Sequence, residues 1–125
     1  MSQFVNIMHS YKRSTRVAEL IQRTIADIIM DIKEPGLGFV TVTGVKLTED
    51  LMDARIFYSV IGSQEEVKKS AGIMENSLKT IRHELAVRLN LRKTPELTLK
   101  YDDTSEKANR VFELLEKIHK EDENK

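Results

Sequence analysis

The stretch IIMDIKEPGLGFVTV, residues 28–42, decides the fold, because it ends a long helix and begins the first strand of a sheet. Upstream of it, apolar residues recur at spacings of three and four, which predicts an amphipathic helix from about Ser10 to Lys33. The apolar stripe of this helix comprises Val17, Leu20, Ile21, Ile25, Ile28, Ile29 and Ile32. The helix ends at residues 34–36, Glu-Pro-Gly, since the residue before a proline resists helical geometry and glycine permits a flexible exit.

Downstream, residues 39–47 are typical of a strand, but the apolar phase changes in the middle. Val40 and Val42 have one parity, whereas Val45 and Leu47 have the other. One extra residue near Thr43-Gly44 would bring both pairs to the same face, and we therefore predict a β-bulge there. A second strand, residues 54–60, alternates regularly and should pair antiparallel with the first, because the connection is short. Its inward residues are predicted to be Ala54, Ile56, Tyr58 and Val60.

The rest of the chain predicts two more helices and a third strand. Ser63 and Glu66 match a capping box, which begins a helix that continues to Leu89. Because this helix is long for a small domain, we predict a bend of more than about 20° near Ser77, whose hydroxyl can bond back to a carbonyl one turn earlier. Alternation over residues 97–101 predicts the third strand. After cap residues at 102–104, a final amphipathic helix is marked by Ala108, Val111, Phe112, Leu115 and Ile118.

The predicted order α-β-β-α-β-α belongs to the α+β class, with one three-stranded sheet and helices packed on one face. The second and third strands are joined by a helix and should run parallel through a right-handed crossover. A chain of 125 residues is typical of a single domain around one core. We place this domain at residues 10–118, between a flexible segment at 1–9 and a polar, frayed tail at 119–125.

Composition excludes several classes of function. The chain has no cysteine, which excludes disulfides, thiolate metal sites and thiol nucleophiles. No apolar run approaches the roughly 20 residues of a membrane span, and the N-terminal residues do not form a secretory signal. Hydrophobic residues make up 40% of the chain and charged residues 32%, which is typical of a compact domain with a highly charged surface. We expect a soluble, cytoplasmic protein that does not contact membranes.

The residue types that commonly carry catalysis are present but scattered. His9, His83 and His119 lack the close spacing of a metal pair. The five glycines match no phosphate loop, and no serine lies in a nucleophile elbow. Carboxylates cluster in a connection and in the tail, where a strongly perturbed pKa is uncommon. We interpret His83 as a surface residue and expect neither enzymatic activity nor a metal or cofactor.

The net charge of zero conceals a basic block. Residues 67–100 carry 8 basic and 3 acidic residues, whereas residues 47–66 carry 1 and 5. A run of charges often does no more than keep a helix face in water. Here, however, Lys68, Lys79 and Arg82 lie within about 60° of one another around the helix axis. Exposed aromatic residues are few, and Phe57 is the best candidate, so stacking on unpaired bases is poorly supported. The basic block therefore favours recognition of RNA by its phosphates and shape.

Four stretches in order resemble the ribosome-binding factor A family of bacterial small-subunit maturation factors. The first is RVA at 16–18 with IADII at 25–29, and the second is IKEPGLG at 32–38 with VTVT at 40–43. The third is TEDL at 48–51 with ARIF at 54–57, and the fourth is LRKTPEL at 91–97 with YD at 101–102. Each piece alone would suit an ordinary helix end or strand start. Their order and spacing over residues 10–118 are specific.

This resemblance implies a type II KH-like fold and binding to immature 30S subunits and 16S rRNA, late in rRNA processing and often important in the cold. In place of the usual Gly-x-x-Gly loop, the family carries a helix-kink-helix marked by Ala-x-Gly. That position falls here on Ser77, Leu78 and Lys79, which depart from the motif at both outer residues. Lys79 cannot relax the backbone as glycine would, but it adds positive charge where the family approaches RNA.

We expect RNA to contact the basic block. A double charge reversal at Lys79 and Arg82 should impair this contact and leave the fold intact, because both side chains flank the apolar stripe. The predicted contact residues are Arg13, Arg16, Lys79, Arg82, Arg88, Arg92, Lys93 and Lys100, with Lys12 next to the first two. The expected partners of this monomer are the 30S subunit and 16S rRNA. A protein-interaction module of the same fold, whose acidic segment 47–66 and tail meet a basic partner, is the alternative. A small hydrolase is disfavoured by the missing nucleophile and metal residues.

Overall fold

The structure, a computed structural model, describes the backbone of residues 2–123 and the side chains of residues 13–104 and 106–120. In chain order the elements are α1 (Ser2–Met30), β1 (Phe39–Leu47), β2 (Asp53–Ile61), α2 (Gln64–Asn76), α3 (Leu78–Leu89), β3 (Glu96–Tyr101) and α4 (Thr104–Glu123). This order confirms the predicted α+β class. Helix α1 begins at Ser2 and not near Ser10. The apolar stripe did not indicate this earlier start, because the first turns of the helix precede the stripe. The division at residues 9 and 118 stays a prediction.

The three strands form one mixed sheet in the order β1-β2-β3. As predicted, β1 pairs antiparallel with β2, and β2 pairs parallel with β3. The predicted bulge is confirmed: Val42 pairs with Tyr58, but Gly44 already pairs with Phe57, so Thr43 is the extra residue. Beyond the bulge, the apolar residues of β1 again pair with the inward residues of β2.

The core lies between one face of the sheet and helices α1, α2 and α3. The four inward residues of β2 are at most 6% exposed, as their alternation predicts. Residues with no exposed surface meet them from the helices, namely Ile21, Ile25, Met74, Ile81 and Leu85. Burial of each such side chain contributes about 1.5–3 kcal/mol. This layer therefore stabilises the fold and leaves the other face of the sheet open.

The turn between α1 and β1 is joined to α2 by a partly buried hydrogen bond. Gly36 has a φ of 96°, a conformation that glycine adopts readily and other residues do not. Two residues later, the amide of Gly38 donates to Ser70 Oγ over 2.9 Å. Ser70 has no exposed surface, so this bond gives its hydroxyl a partner inside the core.

The predicted long helix is interrupted at Ser77. The capping box of Ser63 and Glu66 begins α2 as expected. At the break, Ser77 has a ψ of −2°, and its amide is shared between the carbonyls of Ile73 at 2.9 Å and Met74 at 3.2 Å. Its side chain gives α3 no cap, so the break resides in the backbone. The size of the bend stays a prediction.

Helix α4 begins at a small hydrogen-bonded cluster after β3. Asp102 accepts hydrogen bonds from the amide and hydroxyl of Thr104 and, over 2.8 Å, from the hydroxyl of the bulged Thr43. Tyr101 donates to Glu106, and burial together with this carboxylate raises the pKa of Tyr101 to about 12. The apolar side chains that mark α4, Val111, Phe112, Leu115 and Ile118, are between 54 and 68% exposed and lie outside the core.

Replacing Gly36 by alanine should destabilise the fold, whereas the same change at Gly72 should stabilise it. Gly36→Ala forces a side chain into a φ of 96° and should lower the free energy of unfolding by about 1–2 kcal/mol. Gly72 lies in α2 with nothing within 4 Å of an added Cβ, so Gly72→Ala should raise it by about 0.5–1 kcal/mol. Urea unfolding measures both. Equal effects of the two substitutions would contradict the assigned turn geometry.

The cluster at Asp102 should make part of the stability depend on pH. Hydrogen bonds from Thr104 and Thr43 hold the pKa of Asp102 below its usual range. The carboxylate therefore contributes stability above its unfolded pKa of about 3.9, and this contribution is lost as the pH falls through the lower folded value. The difference in melting temperature between Asp102→Ala and the unchanged protein should be constant from about pH 5 to 7 and narrow below about pH 4. The control is Asp103→Asn, whose partner Lys107 lies exposed at 3.4 Å and should contribute little.

Candidate nucleic-acid interface

A groove of about 490 Å³ lies between α3 and the loop that leads into β3. Its lining residues are Lys79, Arg82, His83, Ala86, Lys93 and Thr94. The groove forms because Asn90 ends α3 in the left-handed conformation, with a φ of 49°, and turns the chain back along the helix. Three of the predicted RNA contacts, Lys79, Arg82 and Lys93, are thus brought together. His83 is exposed there, as interpreted from the sequence.

Arg82 differs from the two lysines because its guanidinium contacts the backbone of the same loop. Its Nε donates to the carbonyl of Pro95 over 3.1 Å, and its Nη2 donates to that of Thr94 over 3.0 Å. The same Nη2 lies 3.2 Å from Glu96 Oε1. A reversed charge at Arg82 should therefore destabilise this loop, since a carboxylate here would face two carbonyls and another carboxylate. That the fold survives the double reversal with Lys79 stays a prediction.

Arg88 lies on another side of α3 and contacts the end of α1. Its Nη2 donates to Asp31 Oδ2 over 2.9 Å, and its Nε lies 3.4 Å from Glu84 Oε2. The hydrogen bond from Arg88 to Asp31 raises the pKa of the guanidinium. Arg88 lines a second groove, of about 430 Å³, together with Asp31, Glu34 and Glu84. The carboxylates make this groove far less favourable to phosphates than the first.

The other predicted contacts lie at separate places. Arg92 is exposed in the loop after α3, next in sequence to Lys93. Arg13 and Arg16 are exposed on α1, which packs against β1 and α3. Lys100 is exposed on the open face of the sheet. The side chain of Lys12 lies outside the described residues.

Sequence reasoning missed a second cationic cluster on the open face of the sheet. Lys46 Nζ lies 5.8 Å from the centroid of the Phe57 ring. Arg55 pairs with Lys46 across the strands, and Lys100 pairs with Phe57. The signal was present in the alternation of β2, which assigns Arg55 and Phe57 to the face opposite the core. It was overlooked because Lys46 and Arg55 lie outside the basic block.

Two other kinds of site receive no support from the described part of the chain. Within it, no three His, Asp or Glu side chains are grouped so as to hold a metal ion. No helix among the described residues has the length and apolar character required to cross a membrane.

Comparison with known proteins gives a consistent result. The family model described as Ribosome-binding factor A matches residues 13–115. A protein of that name from Geobacter metallireducens is 42% identical over 113 residues, which are 90% of this chain and 96% of that protein. Among solved structures, the solution structure of a putative ribosome binding factor A from Thermotoga maritima has a TM-score of 0.63 and 27% identity, covering 70% of this chain and 85% of that one.

A further match concerns a structure of a complex. A homology model of the Thermus thermophilus ribosome binding factor A, fitted into a cryo-EM map of a 30S complex with that protein, has a TM-score of 0.60 and 21% identity to this chain. The match covers 70% of this chain and 92% of that one. These likenesses agree with the KH-like fold, which is consistent with the order of helices and strands in this chain.

The contacts of Arg82 predict a difference between two neighbouring basic residues. Arg82→Ala should lower the free energy of unfolding by about 1 kcal/mol, because two carbonyls lose a charged donor at a partly exposed position. Lys79→Ala should change it by less than about 0.5 kcal/mol. Urea unfolding of both variants tests this. A Lys79 variant that is the less stable of the two would contradict the assigned role of Arg82.

Proposed function

We propose that this chain, which belongs to the ribosome-binding factor A family, binds the 30S ribosomal subunit by contacts with 16S rRNA phosphates. In this proposal it acts as a monomer without cofactor or catalytic activity, in the cytoplasm, and assists late 16S rRNA processing, in particular in the cold. Family membership supports ribosome binding. The complex between the Thermus thermophilus relative and the 30S subunit supports the identity of the subunit.

The observation that carries the RNA proposal is the groove beside α3. Lys79 and Lys93 line it, and both side chains are exposed to solvent. An ammonium group binds phosphate as a compact charge and releases condensed counterions from the RNA. Arg82, held by the carbonyls of Thr94 and Pro95, adds fixed positive charge to the lining of the groove. Arg92, next to Lys93 in sequence, is proposed to add to this surface. Lys100, Arg13, Arg16 and Arg88 lie elsewhere and are proposed to assist.

Charge reversal at Lys79 and Lys93 should weaken binding to immature 30S subunits. Each lost phosphate contact lowers the slope of log affinity against log salt by about one, so the double reversal should lower it by about two. Co-sedimentation with purified subunits over a salt series measures both the affinity and the slope. The fold should persist, because both side chains are exposed.

The matched control is a double reversal of Lys117 and Lys120, which makes the same change of net charge on α4. It should bind nearly as well as the unchanged protein. Equal effects of the two double variants would show that net charge and not the groove decides binding. Binding that ignores salt would favour the protein-interaction alternative.

A further inference from the structure

We propose that the open face of the sheet binds a single-stranded RNA segment, with one base stacked on Phe57 and the flanking phosphates bound by Lys46, Arg55 and Lys100. The inference rests on the proposed function in so far as RNA is the partner. It assigns that RNA a second surface, separate from the groove beside α3, and a second chemistry, stacking, which the groove residues do not supply.

The pairing of the strands places the four residues together. Because Ala54, Ile56 and Tyr58 are buried against the helices, Arg55 and Phe57 project from the other face. Lys46 is the neighbour of Arg55 on β1, and Lys100 is the neighbour of Phe57 on β3. Paired side chains on one face of a sheet lie about 5 Å apart at Cβ. Three cations are thus adjacent to one aromatic ring, and all three are exposed.

The surroundings of the ring leave room for a base. Gly44 is the partner of Phe57 on β1, and a Cβ added to this glycine would meet nothing within 4 Å. The sheet is therefore open beside the ring. On the ring itself, Lys46 Nζ lies 5.8 Å from the centroid, so the π-system already interacts with a cation. A base can take this place, and the ammonium can move to a phosphate.

Acidic groups limit the extent of the cationic surface. Asp53 and Glu96 are paired at the start of β2 and β3, and Glu96 lies 3.2 Å from Arg82. At the other end of β3, Asp102 accepts from Thr43 and Thr104. The stretch that attracts anions is thus the middle of the sheet, which suits a few nucleotides. A duplex keeps its bases stacked internally and cannot offer one to Phe57.

Fluorescence anisotropy of the full chain with a labelled single-stranded RNA of about ten nucleotides tests the proposal. Phe57→Leu, which keeps an apolar side chain but removes the ring, should weaken binding by about 5- to 100-fold. Phe57→Tyr should restore it. Removing one cation, as in Lys46→Gln, Arg55→Gln or Lys100→Gln, should lower the salt slope by about 0.7. Phe57→Leu should leave the affinity for a duplex of the same sequence unchanged, because the bases of a duplex do not reach the ring.

The matched control is Phe39→Leu, the same substitution at the 82% exposed aromatic residue at the end of the same sheet. It should leave single-strand affinity unchanged, and urea unfolding should show that all variants fold. The proposal is overturned if Phe57→Leu binds single strands as well as the unchanged protein, or if Phe39→Leu causes the same loss. It is also overturned if the chain binds 30S subunits but no naked single strand, because the open face would then have no affinity for single-stranded RNA. If the unchanged chain binds the single-stranded RNA but does not bind 30S subunits, the proposed function is rejected and the inference about the open face stands.

Discussion

The extra residue in β1 determines which side chains of that strand face the helices and which face water. The strand changes phase by one position at Thr43, so that Val42 and Val45 both pair with inward residues of β2. The same change places Lys46 beside Arg55 on the open face and lets Thr43 donate to Asp102 at the start of α4. Core, open face and the last helix therefore all depend on one irregularity of the backbone.

The basic residues divide into those that hold elements together and those that remain exposed to solvent. Arg82 binds two carbonyls of the loop before β3, and Arg88 joins α3 to Asp31 at the end of α1. The planar guanidinium suits such directed contacts, whereas lysine offers a compact charge on a flexible stem. The positive charge of residues 67–100 is therefore only partly available to a partner. Within the groove, the available charge is that of Lys79 and Lys93.

Local features of the chain were predictable because each depends on a short run of residues. The change of parity between Val42 and Val45 predicts the bulge, and Ser63 with Glu66 predicts the start of α2. The partners of Arg82 were not predictable, since Asn90 must first adopt a left-handed conformation to bring residues 94–96 alongside α3. The exposure of α4 was not predictable either. Periodicity indicates an apolar side of a helix, but it does not say that three other helices already cover the sheet.

The parallel pairing of β2 with β3 has a consequence for the growing polypeptide. The β1–β2 hairpin closes over a short connection and can form early, but β3 joins it only after residues 62–95 have been synthesised. Until then, one edge of β2 exposes unpaired backbone groups, which makes the nascent hairpin prone to association with other chains. The six residues of Glu96–Tyr101 occupy that edge, so β2 is protected only once residues 96–101 have emerged.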